Sequence, residues 1–361
     1  MLESGAVSKP KNAVEDVDRF FEEAIRTKSR FAGQTNAAFQ SRLAEAYGRA
    51  KPEPADFYHT MDFGGGDLVR GAWDLRGGER NYLGYLDLTG QRVLEFGPAT
   101  GHLSFFMEKQ GADVVTFDIA PGLPQDIVPQ LGHDLDKQRE LSVAYAVKVR
   151  SSWWYSHGRF ASKTKAVYGD IYDLPPDVGR FDVSTFGCTL MHLSKPFQAL
   201  EQAASVTDKA IVVTEPLARI PADEQPAVME FVPVDTSRTV VVWWLLSPGA
   251  VVRMLKVLGF FETTVYFHSQ VHHPYHELDK PSVEHLFFTV VGQRYPNMVT
   301  ALERSAAEEA AERDVKRRWG PEGSETQKLE AEIRSLKSSL SWRLSRPVRM
   351  VGSLFRRLGM R

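Results

Sequence analysis

The ten residues from Val93 to His102, VLEFGPATGH, constrain the fold more than any other stretch. Val93 to Phe96 is an apolar run holding one carboxylate, Glu95, as a buried parallel strand should. Gly97 to Gly101 then makes a turn of small residues. Leu103, Phe105, Phe106 and Met107 follow at helical spacing and end before Gly111. Strand, tight turn and helix in this order let a ligand approach the backbone at a helix N-terminus, where free N–H groups attract polar or anionic atoms. Taken alone, the same turn is equally an ordinary strand-to-helix connection.

The stretches downstream narrow that choice. Asp113 to Ile119 (DVVTFDI) reads as a second strand, with Asp118 placed 23 residues after Glu95. An acid at the end of a second strand, about 20 residues past a glycine turn, hydrogen-bonds ribose hydroxyls in nucleotide-binding folds. Ala166 to Leu174 predicts a third strand presenting Gly169, Asp170 and Ile171. Phe181 to Gly187 predicts a fourth, and Ala210 to Thr214 a fifth ending at Glu215. Ser247 is an N-cap with Pro248 at the first helical position. Thr263 to Phe267 and Leu286 to Val291 predict two final strands. Strands alternating with helices imply an α/β fold: a seven-stranded, mostly parallel, Rossmann-like sheet with helices on both faces. A helical N-terminal cap, with Phe20, Phe21, Ile25 and Phe31 on one face, precedes it. A helical tail follows. The expected division is residues 1–80, 81–296 and 297–361.

Three loop regions are candidates for the acceptor side. Phe57 to Gly78 holds Tyr58 and His59 beside three consecutive glycines, a composition that suits a substrate loop or a packed flap. Trp153 to His157 is an aromatic cluster in which Trp154 is either core or a wall of the pocket. Pro216 to Leu246 is a long excursion from a strand's C-terminal end, with Trp243 and Trp244 near its close. His268, His272, His273, His276 and Glu277 also cluster, but Pro274 interrupts any helical spacing and no metal is assigned.

A single cysteine, Cys188, excludes an intramolecular disulfide and a multi-cysteine zinc site. It favours a reducing compartment, so a cytoplasmic protein is expected. Met1 to Asp18 is polar and lacks a signal pattern. Residues 333–361 carry eight Lys/Arg and no Asp/Glu, so the other 332 residues hold 36 basic against 46 acidic groups, a balance of −10. Such a body disfavours nucleic acid, and the tail suits an anionic surface.

Val93 to Gly101, Asp118, Gly169-Asp170-Ile171 and Phe181 to Gly187 with Met191-His192-Leu193 together resemble the successive motifs of class I S-adenosylmethionine-dependent methyltransferases. The resemblance spans roughly Leu83 to Arg294. It implies that Glu95 holds the methionine amino group and that Gly97, Pro98, Ala99, Thr100 and Gly101 pass under S-adenosylmethionine. Ala99 stands where the family's middle glycine usually does. Asp118, with Ile119 beside it, would take the ribose hydroxyls. Asp170 would accept from the adenine amino group while Ile171 packs on the ring. Gly187 and Cys188 would offer backbone at the sulfonium end. His192 is the candidate general base for an acceptor hydroxyl, with a purely structural histidine as the alternative. Tyr58, His59, Trp154 and Trp243 are the candidate acceptor contacts.

Tyr58-His59-Thr60, the glycine-rich loop and Phe186 to Pro196 are similar to the group containing the tRNA wobble-uridine carboxymethyltransferase and its bacterial relatives. That enzyme has Tyr before the motif histidine, where this chain has Met191; ordinary S-adenosylmethionine is therefore expected. Ser341 to Pro347 (SWRLSRP) resembles the tails of bacterial surface-polysaccharide glycosyltransferases and methyltransferases. These resemblances imply methyl transfer to a glycan or small-molecule hydroxyl. A tRNA-modifying enzyme and a cofactor-binding scaffold are the competing readings.

Leu329, Ile333, Leu336, Leu340 and Leu344 form a narrow helical stripe suited to helix pairing, homo-oligomerisation included. Beyond Pro347, Val348, Val351, Leu354, Phe355 and Leu358 give one apolar face ringed by arginines. Such a helix adsorbs on anionic membranes, each charge contributing about 1 kcal/mol; docking to a membrane-bound glycosyltransferase and a solvated tail are the alternatives. Deleting residues 333–361 should abolish sedimentation with anionic vesicles and leave folding intact. Full retention on the vesicles would remove the membrane role.

Overall fold

The computed structural model describes residues 13–27, 31–48, 51–53, 56–217, 227–234, 240–273 and 281–319. The expected tail helices lie outside these residues, as do Pro274, His276 and Glu277. Helices α1 (Ala13–Thr27) and α2 (Ala37–Tyr47) pair through Val17, Phe21, Phe39 and Leu43, all buried. The short strands β1 (Met61–Asp62), β2 (Leu68–Val69) and β3 (Trp73–Asp74) and helix α3 (Glu79–Tyr82) follow. Then come β4 (Arg92–Phe96), α4 (His102–Lys109), β5 (Asp113–Ile119), α5 (Leu135–Arg159) and β6 (Lys165–Gly169). The series continues through β7 (Phe181–Gly187), α6 (Pro196–Val206), β8 (Thr207–Pro216), β9 (Met229–Phe231) and β10 (Trp244–Leu246). It ends with α7 (Pro248–Val257), β11 (Glu262–His272), β12 (Val283–Gln293) and α8 (Ala306–Trp319).

The main sheet has the order β3-β11-β12-β8-β7-β4-β5-β6. The five strands from β8 to β6 run parallel, and β12 lies antiparallel between β8 and β11. This is the expected Rossmann-like α/β sheet with one strand more than the seven expected. The eighth is β3, whose two residues pair with the edge of β11. Two residues carry no period from which a strand could be read. The parallel strands are apolar because helices cover both faces; Leu94, Phe96, Val115, Phe117, Phe186 and Val213 form the centre of the core.

Two boundaries moved for local reasons. The third strand stops at Gly169, because Asp170 accepts the Tyr172 amide at 2.9 Å and its carbonyl accepts the Asp173 amide at 3.0 Å, closing a turn. The helix expected from His133 begins after Asp134, which caps it by accepting the Lys137 amide, and continues to Arg159. The aromatic cluster at Trp153 to His157 is therefore helical. Backbone pairing also crosses both expected division points: β3 joins the sheet, and Leu86 bridges Ala301.

The N-terminal helices close the free edge of β6. Gln34 accepts the Tyr168 amide at 2.9 Å and Gln40 accepts the Ala166 amide at 3.0 Å, while each donates its own N–H to the same residue's carbonyl. Two glutamine side chains thus stand in for a ninth strand, which protects an edge from pairing elsewhere. Among the described residues no helix is long and apolar enough to cross a membrane.

Gly101 caps α4 at φ +88°, and a Cβ there would stand 2.5 Å from the Phe105 ring and 2.9 Å from Trp153. Gly101→Ala should cost about 2–4 kcal/mol of stability, from left-handed strain plus overpacking. Urea unfolding measures it, and a loss under about 1 kcal/mol, the size of an ordinary surface substitution, would show that the turn yields.

Candidate functional site

The C-terminal ends of β4, β5, β6 and β7 open on one cavity of about 330 Å³. Its floor is the turn after β4. Gly97 continues the ladder by donating to the Phe117 carbonyl at 2.9 Å, then turns at φ +69°. Ala99 holds φ 47°, and Cys188, after β7, holds φ 51°. A residue other than glycine held in the left-handed region costs about 1–3 kcal/mol and persists only where its surroundings enforce it. Both of these strained residues line the cavity.

Eight of the twelve residues expected at the cofactor meet on its wall: Gly97, Ala99, Asp118, Ile119, Asp170, Ile171, Gly187 and Cys188. The other four lie behind it. Pro98 and Gly101 are buried within the turn, and Thr100 is spent accepting the His59 amide at 3.0 Å. Glu95 sits in β4 and accepts the Ser104 hydroxyl; burial pushes its carboxyl up to about 7.

Asp118 Oδ1 accepts the Ile119 amide at 2.8 Å, which leaves Oδ2 for a ligand hydroxyl. Burial raises its pKa, and the buried guanidinium of Arg150 opposes that rise. Arg150 itself donates to the Ile119 carbonyl at 3.0 Å and lies over the Tyr168 ring at 4.9 Å. A buried cation thus backs the strand end that carries the acid.

On the acceptor side the structure separates the expected residues. Tyr58 lines the cavity with Cys188 and His192. His59 is buried one layer back, with its ring 6.1 Å from His102. Trp154 is 2% exposed and donates to the Tyr168 hydroxyl at 2.9 Å, so it belongs to the core beneath the N-terminal helices rather than to the wall. Trp243 stands outside the wall and supports it, donating its indole N–H to the Asp126 carbonyl at 2.9 Å.

Asp126 and Tyr145 are wall residues that the sequence reading missed. Asp126 Oδ2 accepts from the Tyr172 hydroxyl and, at 2.7 Å each, from the Ser194 amide and hydroxyl. It ties the roof over the cavity to the end of β6 and to the turn that carries His192. Nothing near Asp126 forms a motif; the partners come from separate stretches of chain.

His192 Nδ1 is 2.6 Å from the Val241 carbonyl. A carbonyl only accepts, so the neutral ring carries its proton on Nδ1 and keeps Nε2 as a base. Burial lowers its pKa below the ordinary 6.5, which favours that neutral form.

The wall presents Asp118, Asp126 and Asp170 and, among the residues lining it, no Lys or Arg. Phosphates would be repelled here, whereas a nucleoside carrying positive charge is matched.

A family model described as a methyltransferase domain matches residues 72–260, more than half of the chain. The chain belongs to that family. Its cofactor is S-adenosylmethionine, and the acidic wall and open strand ends fit that cationic nucleoside. No curated protein matches this methyltransferase. Among solved structures, the N-terminal domain of EvdMO1, determined in the presence of S-adenosylhomocysteine and D-fucose, is 17% identical over 71% of this chain and 95% of that one, with a TM-score of 0.39. Magnesium protoporphyrin IX methyltransferase from Synechocystis PCC 6803, with bound S-adenosylmethionine, is 11% identical over 79% and 99%, with a TM-score of 0.34.

Asp118→Ala should weaken S-adenosylhomocysteine binding by about 10- to 100-fold, the weight of a charge-assisted hydrogen bond. Titration calorimetry measures it, and unchanged affinity would remove the ribose assignment.

Proposed function

We propose that this methyltransferase acts on a hydroxyl group, carried by a sugar of a bacterial surface polysaccharide. The observation that carries the hydroxyl is His192, a neutral imidazole on the cavity wall with its basic nitrogen left open by the Val241 bond. The polysaccharide context is supported by the SWRLSRP segment and the basic tail, and the net acidity of the remaining chain argues for a glycan over tRNA. Met191, before His192, supports the ordinary cofactor over its carboxylated form.

In this reading residues 81–296 form the catalytic unit, residues 1–80 supply the cap and Tyr58, and residues 297–361 address the protein to a membrane face or a glycosyltransferase. Gly97 and Ala99 meet the cofactor's methionine end, with Glu95, Pro98, Thr100 and Gly101 backing them from behind the wall. Asp118 and Ile119 take the ribose, Asp170 and Ile171 the adenine, and Gly187 and Cys188 the sulfur end.

When bound, S-adenosylmethionine supplies a methyl group already activated on a sulfonium. The chain's own work is alignment, exclusion of water and proton acceptance. Tyr58 and Tyr145 are the wall residues placed to orient the acceptor. His192 Nε2 takes the hydroxyl proton as the oxygen gains the methyl carbon, and the resulting imidazolium is stabilised through Nδ1–H on the Val241 carbonyl.

The pH dependence has a definite sign. His192 is the base only when neutral, and its pKa lies below 6.5. Transfer of labelled methyl to isolated surface glycan should therefore rise through an acid limb with its midpoint below 6.5 and then level off. His192→Gln should lower turnover about 100-fold, within the range for general bases, with cofactor affinity unchanged. Wild-type turnover in that variant rejects His192 as the base.

A further inference from the structure

Glu215, at the end of β8, is 1% exposed and does not line the cavity. Its Oε1 accepts the Leu190 amide at 2.8 Å, and the amides of Thr189 and Met191 face the same carboxyl group. Among the described residues its Oε2 has no hydrogen-bond partner. These amides begin the short 3-10 turn Leu190–His192. The first amides of such a turn have no partner within it. Leu190 is fully buried, so water cannot serve its amide. Without an acceptor that buried amide would cost about 1–3 kcal/mol.

The turn is held at several points. Before it, Cys188 donates its amide to the Thr214 carbonyl at 2.8 Å, next to Glu215 in β8. Within it, the Leu190 amide is held by Glu215. At its end, His192 bonds Val241 and Ser194 bonds Asp126. Among the described residues the ring of His192 is thus fixed at Nδ1 alone, and its height over the cavity is set by the start of the turn. Tyr58, Tyr82 and Cys188 surround Glu215, and burial raises the pKa of each, so the groups beside it are uncharged near neutral pH.

We infer that Glu215 is a positioning residue for methyl transfer: through the Leu190 amide it sets the Thr189–His192 turn so that His192 keeps Nδ1 on Val241 and presents Nε2 to the acceptor. The inference rests on His192 as the base. It also accounts for a buried carboxyl group at a site where an apolar side chain would fill the same space and leave the amides unserved.

The test is nitrogen-detected NMR of histidine-labelled full-length protein, with the His192 signal assigned through His192→Gln. Wild type should show the Nδ1–H tautomer. Glu215→Gln keeps a carbonyl acceptor and should preserve that tautomer and its titration. Glu215→Met removes the acceptor at similar length, and the excess of Nδ1–H over Nε2–H should fall about tenfold, the weight of one hydrogen bond. S-adenosylhomocysteine affinity should stay within threefold, on the order of measurement scatter for a non-contacting site. A general structural role would lower the melting temperature without moving the tautomer.

A folded Glu215→Met with the wild-type tautomer overturns the inference. So does a Glu215→Gln protein that has lost it, which keeps the test decisive if Glu215→Met does not fold. Should the tautomer shift while His192→Gln still methylates glycan at the wild-type rate, the reading of His192 as base fails instead.

Discussion

The cavity depends on the backbone path from Phe96 to His102. Gly97 leaves no room for a Cβ because Thr189 Oγ1 would lie 2.7 Å from it, and that hydroxyl donates to the Phe96 carbonyl. Gly101 is closed off by Phe105 and Trp153, and Thr100 accepts the amide of His59. One five-residue turn therefore touches the turn that carries His192, the long helix α5 and the flap that carries Tyr58. The floor of the cavity and the segments that carry Tyr58 and His192 are fixed against the same atoms. A shift in the turn would misplace both reactants, and alignment is most of what a reaction with a pre-activated methyl group requires.

Electrostatics follows from where the strand ends stop. Glu95 and Glu215 lie behind the cavity wall, and burial raises them to about 7 and about 8. Burial favours the protonated form of each, which avoids an unpaired interior charge. Asp118 is treated differently, because Arg150 stands behind its strand end and offsets the cost of ionising it. The acid that would meet ligand hydroxyls has a cation in support; those that serve internal hydrogen bonds do not.

What was legible in the sequence is what period and spacing encode. The run VLEFGPATGH, Asp118 at its offset and the apolar strands place four strand ends side by side without reference to the rest of the chain. Ala99 also fits, as a small residue that accepts φ 47° in a turn usually built with glycine. Trp154 was ambiguous because a tryptophan looks the same in core and in pocket; a hydrogen bond to Tyr168 and the packing of the N-terminal helices decided it. Gln34 and Gln40 gave no sign of completing a sheet edge, since their partners lie 134 and 126 residues away. Asp126 and Glu215 were unreadable as supports for the same reason.

This difference has a physical origin that bears on specificity. The half of the cavity proposed for the cofactor is made by residues at or just past the ends of strands, so the sheet alone places them. The half proposed for the acceptor draws Tyr58 from the flap, Tyr145 from α5 and His192 from the turn after β7, each located by contacts between segments distant in sequence. Substitutions in these segments can reshape the acceptor wall without disturbing Gly97, Asp118 or Asp170. The limit on such change is the His192 turn, which is tied to Thr214, Glu215, Val241 and Asp126. In the proposed reading a new acceptor is therefore accommodated most readily around Tyr58 and Tyr145, while His192 keeps its place.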